Sequence, residues 1–487
     1  MTGSSGRNTT HHHTPPAGRL VASRRPRWER WTRCAASLAT GGFLAALVWH
    51  FIAMHGDSFW YVATGEWMLD TGRLPERDPF AFSSIPGPWI VHMPLAQLAF
   101  GWIARHLGLL ALLALCTLVQ TAALLWLWFG GARSPAARLP CFPVVVLAVV
   151  VDADLLSARG QVFGDLGTAI LLGLLGRLAR AERVPALAPL ALGALWANLH
   201  PSFLLAPALP LAVAAFLLLE PREARPALAP YLRLSALALA GACANPYHVR
   251  MVVDVVQLWT HATTAQIDLF RSPDLQDPLQ LLALAAAIAC GLARLRFGPA
   301  CLRRADLALL LCAIGAAISA RRHVGLLLGV VLVQLGRLCD AELGEHRARF
   351  LRWQARLAPL AAACAVLLLL SPKDPVASNP ALAARFIEAQ RLPDRVFNLY
   401  VWGGYLDYAW RGRRKVFIDG RNHLFGNGVF DDCARIEAAA PGFESLLDLY
   451  EIRTALVHRG SALDSALAQK PPWRLAYADA LAAVYTR

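Results

Sequence analysis

Apolar runs of about 15 to 20 residues recur along most of this chain, and each is near the length that a helix needs to cross roughly 30 Å of hydrocarbon. The chain has 487 residues, of which 56% are hydrophobic and 16% are charged. This pattern predicts a polytopic α-helical membrane protein with about eleven spans. The predicted spans are 34–53, 107–129, 140–156, 163–178, 185–199, 203–219, 232–247, 278–297, 305–320, 324–338 and 357–370.

The net charge of +14 has a topological explanation. Almost all basic residues are Arg, and they lie between the apolar runs. If residues 1–33 form a disordered cytoplasmic arm, every short Arg-rich connection falls on the cytoplasmic side, as the positive-inside rule expects. An odd number of spans then places the C-terminal region outside. Because topology accounts for the charge, we expect no nucleic acid as a partner.

The connection after the first apolar run is the most unusual one. Residues 54–106, the first loop, are too polar to cross a bilayer yet rich in the aromatic residues that favour the membrane–water interface. From Asp57 to Leu69 the apolar residues fall near helical spacing, and Gly72 is a stop signal, which predicts a short amphipathic helix lying flat on the membrane. The apolar stretch 93–104 is too short to span at ~1.5 Å per residue, so it predicts a second interfacial or re-entrant helix.

The predicted topology gathers polar residues at the outer ends of the spans. Ionisable residues at membrane depth usually face an aqueous or protein-lined cavity, so we expect one outward-opening polar cavity. Its candidate lining residues are Gln161, Asn198, His200, Asn245, Tyr247 and His248. For the Asn198 and Asn245 segments the alternative is structural, because Pro and polar side chains there would break the helix and satisfy the freed carbonyls.

Three polar residues of the first loop are candidates for chemistry. Asp57, directly after the first span, would act as a general base that takes the proton of an acceptor hydroxyl; the alternative is that it caps the following helix. Asp78 and His92 would orient the acceptor or bind a divalent cation such as Mg²⁺ or Mn²⁺. The alternative for both is a solvated loop charge.

The triplet Arg321-Arg322-His323 lies between two apolar runs on the predicted outer face, against the positive-inside trend. Guanidinium groups bind phosphate oxygens bidentately, and a lipid phosphate would lie at this depth. The alternative is a turn whose side chains extend to the lipid headgroups. Arg159 and Arg271 are weaker candidates for the same phosphate-binding role.

The sequence changes character after the predicted transmembrane part, 34–371. In the C-terminal region, 372–487, short strand-like runs alternate with helical segments and predict a small α/β domain. The predicted strands are 396–399, 415–418, 455–458, 473–477 and 483–485. Candidate contacts for a glycan are Trp402, Tyr405, Asp419 and Arg421. A structural ion pair between Asp419 and Arg421 is the alternative. No GxGxxG or GxxxxGKS motif indicates a nucleotide.

With these features the chain resembles the C-type (GT-C) superfamily of integral-membrane glycosyltransferases, especially the bacterial branch related to protein mannosyltransferases and lipid A aminoarabinose transferases. The resemblance rests on GDSFWYVATGEW at 56–67, DPFAFSS at 78–84, WIVHMPLAQL at 89–98 and RRH at 321–323. Those enzymes use sugars carried on a polyprenyl phosphate or diphosphate. The resemblance assigns Asp57 to catalysis and implies basic groups near the carrier phosphate, for which Arg321 and Arg322 are the candidates. Many relatives carry a second acid directly after the first, where this chain has Ser58.

The resemblance implies an enzyme of the cytoplasmic (inner) membrane. It would transfer a hexosyl or pentosyl unit from a polyprenyl-phosphate-linked sugar to an envelope acceptor, which is a lipid, a glycan or a protein. One alternative is a non-catalytic membrane protein, either a transporter or a glycan-binding subunit; a transporter would be favoured by inverted repeats with broken spans. The other is a polysaccharide polymerase or ligase, which normally has a large outer loop late in the chain.

Overall fold

The computed structural model consists mainly of helices, with one small sheet in the C-terminal region. It describes residues 27–132, 134–151, 153, 156–223, 225–260, 272–274, 276–296, 304–342 and 347–487. Most of the predicted cytoplasmic arm, and Arg271, lie outside the described residues.

The helices before the C-terminal region follow the apolar runs, which are rich in the strong helix formers Ala and Leu. Their bounds are α1 Arg27–Phe51, α2 Gly56–Thr71, α3 Pro94–Leu107, α4 Leu109–Gly131, α5 Pro135–Val151, α6 Gln161–Ala179, α7 Leu187–Leu199, α8 Leu205–Leu217, α9 Ala229–Ala242, α10 Val249–Thr260, α11 Pro278–Arg296, α12 Arg304–Ser319, α13 Val324–Glu342 and α14 Arg347–Leu369. Short 3-10 turns at Pro201–Leu204 and Arg321–His323 precede α8 and α13.

Within the described part of the chain, 5 helical stretches are long and apolar enough to cross a membrane. They are Cys34–Phe51, Leu109–Gly131, Gln161–Ala179, Pro278–Arg296 and Arg321–Glu342. Shorter apolar helices are Ala137–Val151, Leu187–Leu199, Pro201–Leu217 and Asp306–Ser319. The fold is therefore that of a helical membrane protein, while the count of eleven spans and their orientation stay predictions.

The C-terminal region combines a four-stranded sheet with five helices among its described residues. The strands are β1 Val396–Asn398, β2 Thr454–His458, β3 Arg474–Ala478 and β4 Ala482–Thr486, and the helices are α15 Ala381–Ala389, α16 Tyr400–Trp410, α17 Asn427–Glu437, α18 Phe443–Leu449 and α19 Ala462–Ala468. The strand order is β1-β2-β4-β3. β1 runs parallel to β2, whereas β4 is antiparallel to both β2 and β3.

One predicted strand is absent from this sheet. The stretch 415–418 was expected to be a strand because it is apolar, but it forms only an isolated bridge between Ala81 and Val416. Val416 donates from its backbone N–H to the carbonyl of Phe80 at 2.9 Å, and Phe82 donates to the carbonyl of Val416 at 3.1 Å. The prediction was wrong because the partner of this stretch is the first loop, which hydropathy along the chain does not reveal.

The helix predicted at the start of the first loop is present, but it does not lie exposed on the membrane. α2 ends at Gly72, whose φ of 67° is the left-handed conformation that commonly terminates helices. Nearly every residue from Ser58 to Met68 is buried, because α2 packs against both α3 and α16. Because α2 is buried on nearly all sides, including Thr64 and Glu66, the expectation of an amphipathic helix on the membrane surface was wrong.

The first loop and the C-terminal region share one hydrophobic core. Phe59 and Phe100 of the first loop belong to the same buried cluster as Leu406 and Val484. A Cβ on Gly404 of α16 would lie 2.0 Å from the carbonyl oxygen of Gly56, so only glycine allows this approach. The start of α2, where Asp57 lies, is therefore positioned by the C-terminal region.

Candidate active site

Asp57 lies in the first turn of α2, where the positive end of the helix dipole favours a carboxylate. Its Oδ1 accepts a hydrogen bond from Nε1 of Trp60 at 3.1 Å, and its Oδ2 accepts one from Nη1 of Arg159 at 3.3 Å. The side chain stays 32% exposed. Ser58, rather than Asp57, contacts the helix start: its hydroxyl accepts a hydrogen bond from the backbone N–H of His55 at 3.2 Å. The carboxylate of Asp57 therefore faces other side chains and open space.

Asp57 lines a cavity of about 240 Å³, which we call the central cavity. Of the residues predicted from sequence, it brings together Asp57, His92, Arg159, Gln161, His200, Arg322 and Arg421. Two guanidinium groups, from Arg159 and Arg322, lie along the wall that the helices provide. Asp57 thus shares a partly open cavity with Asp165 and with guanidinium groups suited to phosphate.

The central cavity continues between the helices as a second space of about 180 Å³, the apolar extension. Gln120, Gln161, Asp165, His200 and Arg322 line both spaces. Farther in, the lining is mainly aliphatic and includes Leu124, Leu127, Ala148, Leu205 and Leu326. Two connected spaces that combine guanidinium groups with aliphatic lining suit an amphiphile that has an anionic head.

The C-terminal region supplies the opposite wall of the central cavity through Tyr400, Gly420, Asn422 and His423. The Tyr400 hydroxyl donates to Oδ1 of Asn422 at 2.9 Å. Burial raises the pKa of Tyr400, and the negative charge of Asp57 raises it further, so its hydroxyl keeps its proton and can donate. We did not predict Tyr400, Asn422 or His423 as site residues; the VFIDGRN motif, which ends at Asn422, was the available signal.

Arg421 joins the first loop to the C-terminal region. Its guanidinium binds Asp419 through Nε at 2.9 Å and Nη2 at 2.5 Å, and it donates from Nη1 to Oδ1 of Asp78 at 2.5 Å. The rings of Phe80 and Trp89 lie 5.1 and 5.0 Å from the guanidinium carbon. Although burial alone would lower it, the two carboxylates raise the pKa of Arg421. The structural ion pair considered for Asp419 and Arg421 is thus present, and it includes Asp78.

The predicted phosphate-binding triplet is divided by the structure. Arg322 lines both the central cavity and the apolar extension, and His323 lines only the extension. Arg321 lines neither space. The pKa of Asp277 is lowered mainly by a hydrogen bond from the backbone N–H of Leu279, and the nearby positive charge of Arg321 lowers it further.

The other predicted lining residues have structural partners. Asn198 donates to the carbonyls of Ala194 and Ala244, both at 2.8 Å. Asn245 donates to the carbonyls of Ala242 at 2.7 Å and His248 at 3.1 Å. These bonds match the alternative that polar side chains satisfy freed carbonyls. The Tyr247 hydroxyl accepts from the N–H of Val91 at 3.3 Å. Outside both spaces are Asn198, Asn245, Tyr247 and His248.

The two aromatic candidates for glycan contact lie away from the central cavity. Trp402 is buried with its ring 4.9 Å from that of His458, and its Nε1 donates to the carbonyl of Ser378 at 3.3 Å. Tyr405 packs edge-on against Phe59 at 5.2 Å between ring centroids. Both side chains therefore contribute to the core between α2 and the C-terminal region.

A divalent cation does not fit the predicted ligands as they are arranged. Asp57 is paired with Arg159, Asp78 is held by Arg421, and His92 is hydrogen-bonded through Nε2 to Asp254. Across the described ranges, no group of three or more His, Cys, Asp and Glu side chains could hold a metal ion. The cation that contacts Asp57 is the guanidinium of Arg159.

Comparisons with known proteins identify the fold. No family model matches this chain, and no curated protein sequence matches it either. The oligosaccharyltransferase AglB from Archaeoglobus fulgidus, solved with an inhibitory peptide and a dolichol-phosphate, is similar in structure with a TM-score of 0.56 and 11% identity over 89% of this chain and 69% of that chain. The apo form of the Archaeoglobus fulgidus oligosaccharyltransferase gives a TM-score of 0.57 and 11% identity over 89% of this chain and 70% of that chain. The chain therefore has a GT-C-like fold.

Proposed function

We propose that this protein is a membrane glycosyltransferase that moves a sugar from a polyprenyl-phosphate carrier to an envelope acceptor at the outer face of the cytoplasmic membrane. The proposal depends on one observation: Asp57, Arg159 and Arg322 line one cavity, which continues into the apolar extension. The GT-C-like fold supports it. The archaeal neighbour was solved with a dolichol-phosphate and a peptide, which supports a lipid-linked donor and a separate acceptor.

In the proposed reaction, Asp57 accepts the proton of an acceptor hydroxyl while that oxygen attacks the anomeric carbon of the donor sugar. The bond between the anomeric carbon and the phosphate oxygen breaks, and its electron pair leaves with the lipid phosphate. Attack opposite to the leaving group inverts the configuration at the sugar. Trp60 and Arg159 each hold one oxygen of Asp57, so the carboxylate is oriented before the substrates bind.

Negative charge builds on the carrier phosphate as the glycosidic bond breaks. Arg159 and Arg322, which both line the central cavity, would bind this phosphate and stabilise the leaving group. Arg159 would act at both ends of the reaction, because it also contacts the base at 3.3 Å. Hydrogen bonds to a charged partner typically contribute about 1.5–3 kcal/mol each.

The apolar extension would hold the first isoprene units of the carrier. Arg322 lines this space together with Leu205 and Leu326, so a phosphate bound at its guanidinium would place the attached chain beside them. The acceptor would enter from the side of the C-terminal region, where Tyr400, Asn422 and His423 offer polar contacts. Donor and acceptor would thus approach Asp57 from opposite walls.

The topology is part of this proposal. We place the N-terminus in the cytoplasm, the C-terminal region outside and about eleven helices across the bilayer, as the distribution of Arg predicts. The bacterial subfamily, the hexosyl or pentosyl nature of the sugar and the cell-envelope acceptor also belong to the proposal.

Substitution of the base tests the catalytic part. Asp57→Asn keeps the shape of the side chain but cannot take a proton, so transfer should fall by about 10²–10⁴-fold. The matched control is Asp70→Asn in the same helix, because Asp70 is 58% exposed and pairs only at the surface with Arg105 among the described residues. The measurement is transfer of label from a panel of radiolabelled polyprenyl-phosphate sugars in membranes that contain each variant.

Transfer by Asp57→Asn at the wild-type rate would refute the role of the base. Wild-type protein that binds the labelled carrier but transfers nothing would instead favour a glycan-binding subunit. Movement of intact carrier across sealed vesicles would favour a transporter, and release of long polymers would favour a polymerase.

A further inference from the structure

A second polar pocket lies at the junction between the first loop and the C-terminal region. This junction pocket has a volume of about 510 Å³, within the range of roughly 300–1,000 Å³ that is usual for ligand sites. Its lining consists of Arg77, Asp78, Ala81, Phe82, Ser84, Ile85, Pro86, Gly87, Asp394, Arg395, Arg413, Arg414 and Lys415. No lining residue belongs to the candidate membrane spans in the described part of the chain.

The junction pocket has a fixed framework. Ala81 of its lining forms a bridge with Val416, and next to the lining the Ser83 hydroxyl donates to the carbonyl of Phe417. Arg414 is anchored on one side by Oδ1 of Asp394 at 3.0 Å and by the carbonyl of Leu392 at 2.7 Å. The cationic side chains are therefore presented by a framework that is in place before a ligand arrives.

Positive charge predominates in the junction pocket. Its described lining contains five cationic side chains against two carboxylates, and Asp78 is already held by Arg421. Arg395 stacks over the ring of Phe82 at 5.0 Å. Arg77 and Lys415 are exposed, and neither forms an ion pair with a residue that the structure describes. Arg413 pairs with Glu388 at 2.9 Å and Arg395 with Glu451 at 3.6 Å, so Arg77 and Lys415 are the lining cations that carry the excess positive charge among the described residues.

We infer that the junction pocket binds an anionic group, such as a carboxylate, on the acceptor glycan. Arg guanidinium forks and the Lys ammonium group suit such oxyanions, and Ile85 and Pro86 give the pocket an apolar part for contact with a sugar. Asp78 connects the two sites, because it lines the junction pocket and binds Arg421 of the central cavity. That the bound glycan is the acceptor of the reaction rests on the proposed function. Its physical content is the selective binding of an acidic oligosaccharide.

The test is a binding measurement on the purified full chain in an uncharged detergent. The probe is hexagalacturonate, which carries six carboxylates, and the neutral comparison is maltohexaose. We expect the wild-type chain to bind hexagalacturonate and not maltohexaose. Arg77→Gln with Lys415→Gln should weaken binding of hexagalacturonate by at least about tenfold, since both charge-assisted contacts with its carboxylates are lost.

The matched control is Arg250→Gln with Arg474→Gln, which removes the same charge from two exposed side chains that do not line the pocket. Equal weakening by this pair would refute the inference, because binding would then follow net charge. Equal binding of maltohexaose would also refute it. Competition by nanodiscs of phosphatidylglycerol, absent with phosphatidylcholine, would assign the pocket to a lipid headgroup instead.

The same assay separates this inference from the proposed reaction. Asp57→Asn should bind hexagalacturonate as the wild type does, although it should not transfer sugar. Loss of transfer with normal binding leaves the junction pocket intact as a site. Loss of selective binding in an active enzyme would refute the junction pocket alone.

Discussion

The Oδ1 atom of Asp57 lies 2.1 Å from the position that a Cβ on Gly420 would occupy. The first loop and the C-terminal region therefore meet directly at the proposed base, and glycine is the residue type that leaves room for the carboxylate. The same Cβ would lie 3.0 Å from Nε1 of Trp60, which donates to Asp57.

Gly420→Ala should impair transfer without unfolding the protein. The added methyl group would displace the end of the Asp57 side chain and break its alignment with Trp60 and Arg159. A misplacement of about 1 Å can cost on the order of 10²-fold in rate, so we expect a decrease of about 10- to 100-fold in kcat.

The measurement is transfer from the labelled carrier, with the thermal unfolding midpoint recorded in parallel. Gly428→Ala is the control, because nothing lies within 4 Å of a Cβ at that position. Unchanged kcat in Gly420→Ala would show that Asp57 need not occupy the position seen here.

The two adjacent arginines of the triplet should differ in function. Arg322→Gln should raise the KM for the lipid-linked donor by about 10- to 100-fold, because it removes a charge-assisted contact worth about 1.5–3 kcal/mol. Arg321→Gln should leave the KM near the wild-type value, because Arg321 lines neither the central cavity nor the apolar extension. Steady-state kinetics over a range of donor concentrations measure both. A larger effect from Arg321 than from Arg322 would contradict the proposed position of the phosphate.

Asp407 is a buried carboxylate in the cluster around Arg421, and its surroundings stabilise a negative charge poorly. Neither of its oxygens has a hydrogen-bond partner among the described residues, and Nη2 of Arg421 is 4.0 Å away. Burial, followed by the negative charge of Asp419, raises the pKa of Asp407 well above its usual range. The folded protein therefore retains a proton that the unfolded chain releases above its pKa of about 3.9. This retained proton adds to the free energy of unfolding. The added stability is fully present below the unfolded-chain pKa and is lost as the pH rises through the raised pKa of Asp407 in the folded protein.

Asp407→Asn should remove this loss. We expect the variant to be more stable than the wild type at pH 8, because an amide has no proton to retain, and the difference should shrink toward pH 4. Thermal unfolding midpoints across this pH range are the measurement. Asp464→Asn serves as a control of opposite sign, since Asp464 accepts hydrogen bonds from Gly460 at 2.8 Å and Tyr485 at 2.7 Å. Destabilisation by Asp407→Asn at pH 8 would contradict the argument.

The pairing of Asp57 with Arg159 shows what the sequence could reveal. Both residues follow from hydropathy and charge, because each lies at the outer end of an apolar run, and the predicted topology places them at the same face. The same reasoning included Arg322 and His200 in the cavity. It could not separate Arg322 from Arg321, because the direction of a side chain in a 3-10 turn depends on how the neighbouring helices pack.

The contact between Arg421 and Asp78 shows what it could not. The two residues are 343 positions apart, and no periodic pattern links them. The sequence does mark the helix Asn427–Glu437, because Val429, Cys433 and Ile436 fall at helical spacing, but the helix is polar overall and has no continuous apolar run. α2 was assigned to the membrane surface because its aromatic residues suit an interface, whereas the structure uses them to pack α3 and α16.

The shared wall of the central cavity has a consequence for biosynthesis. Tyr400, Asn422 and His423 lie late in the chain, whereas Asp57 is among the first residues to leave the ribosome after the first apolar run. For most of translation, the carboxylate of Asp57 would therefore line a central cavity that lacks the wall formed by the C-terminal region. The cavity acquires its second wall only after residue 423 has been synthesised and packs near α2, so the complete site forms late in translation.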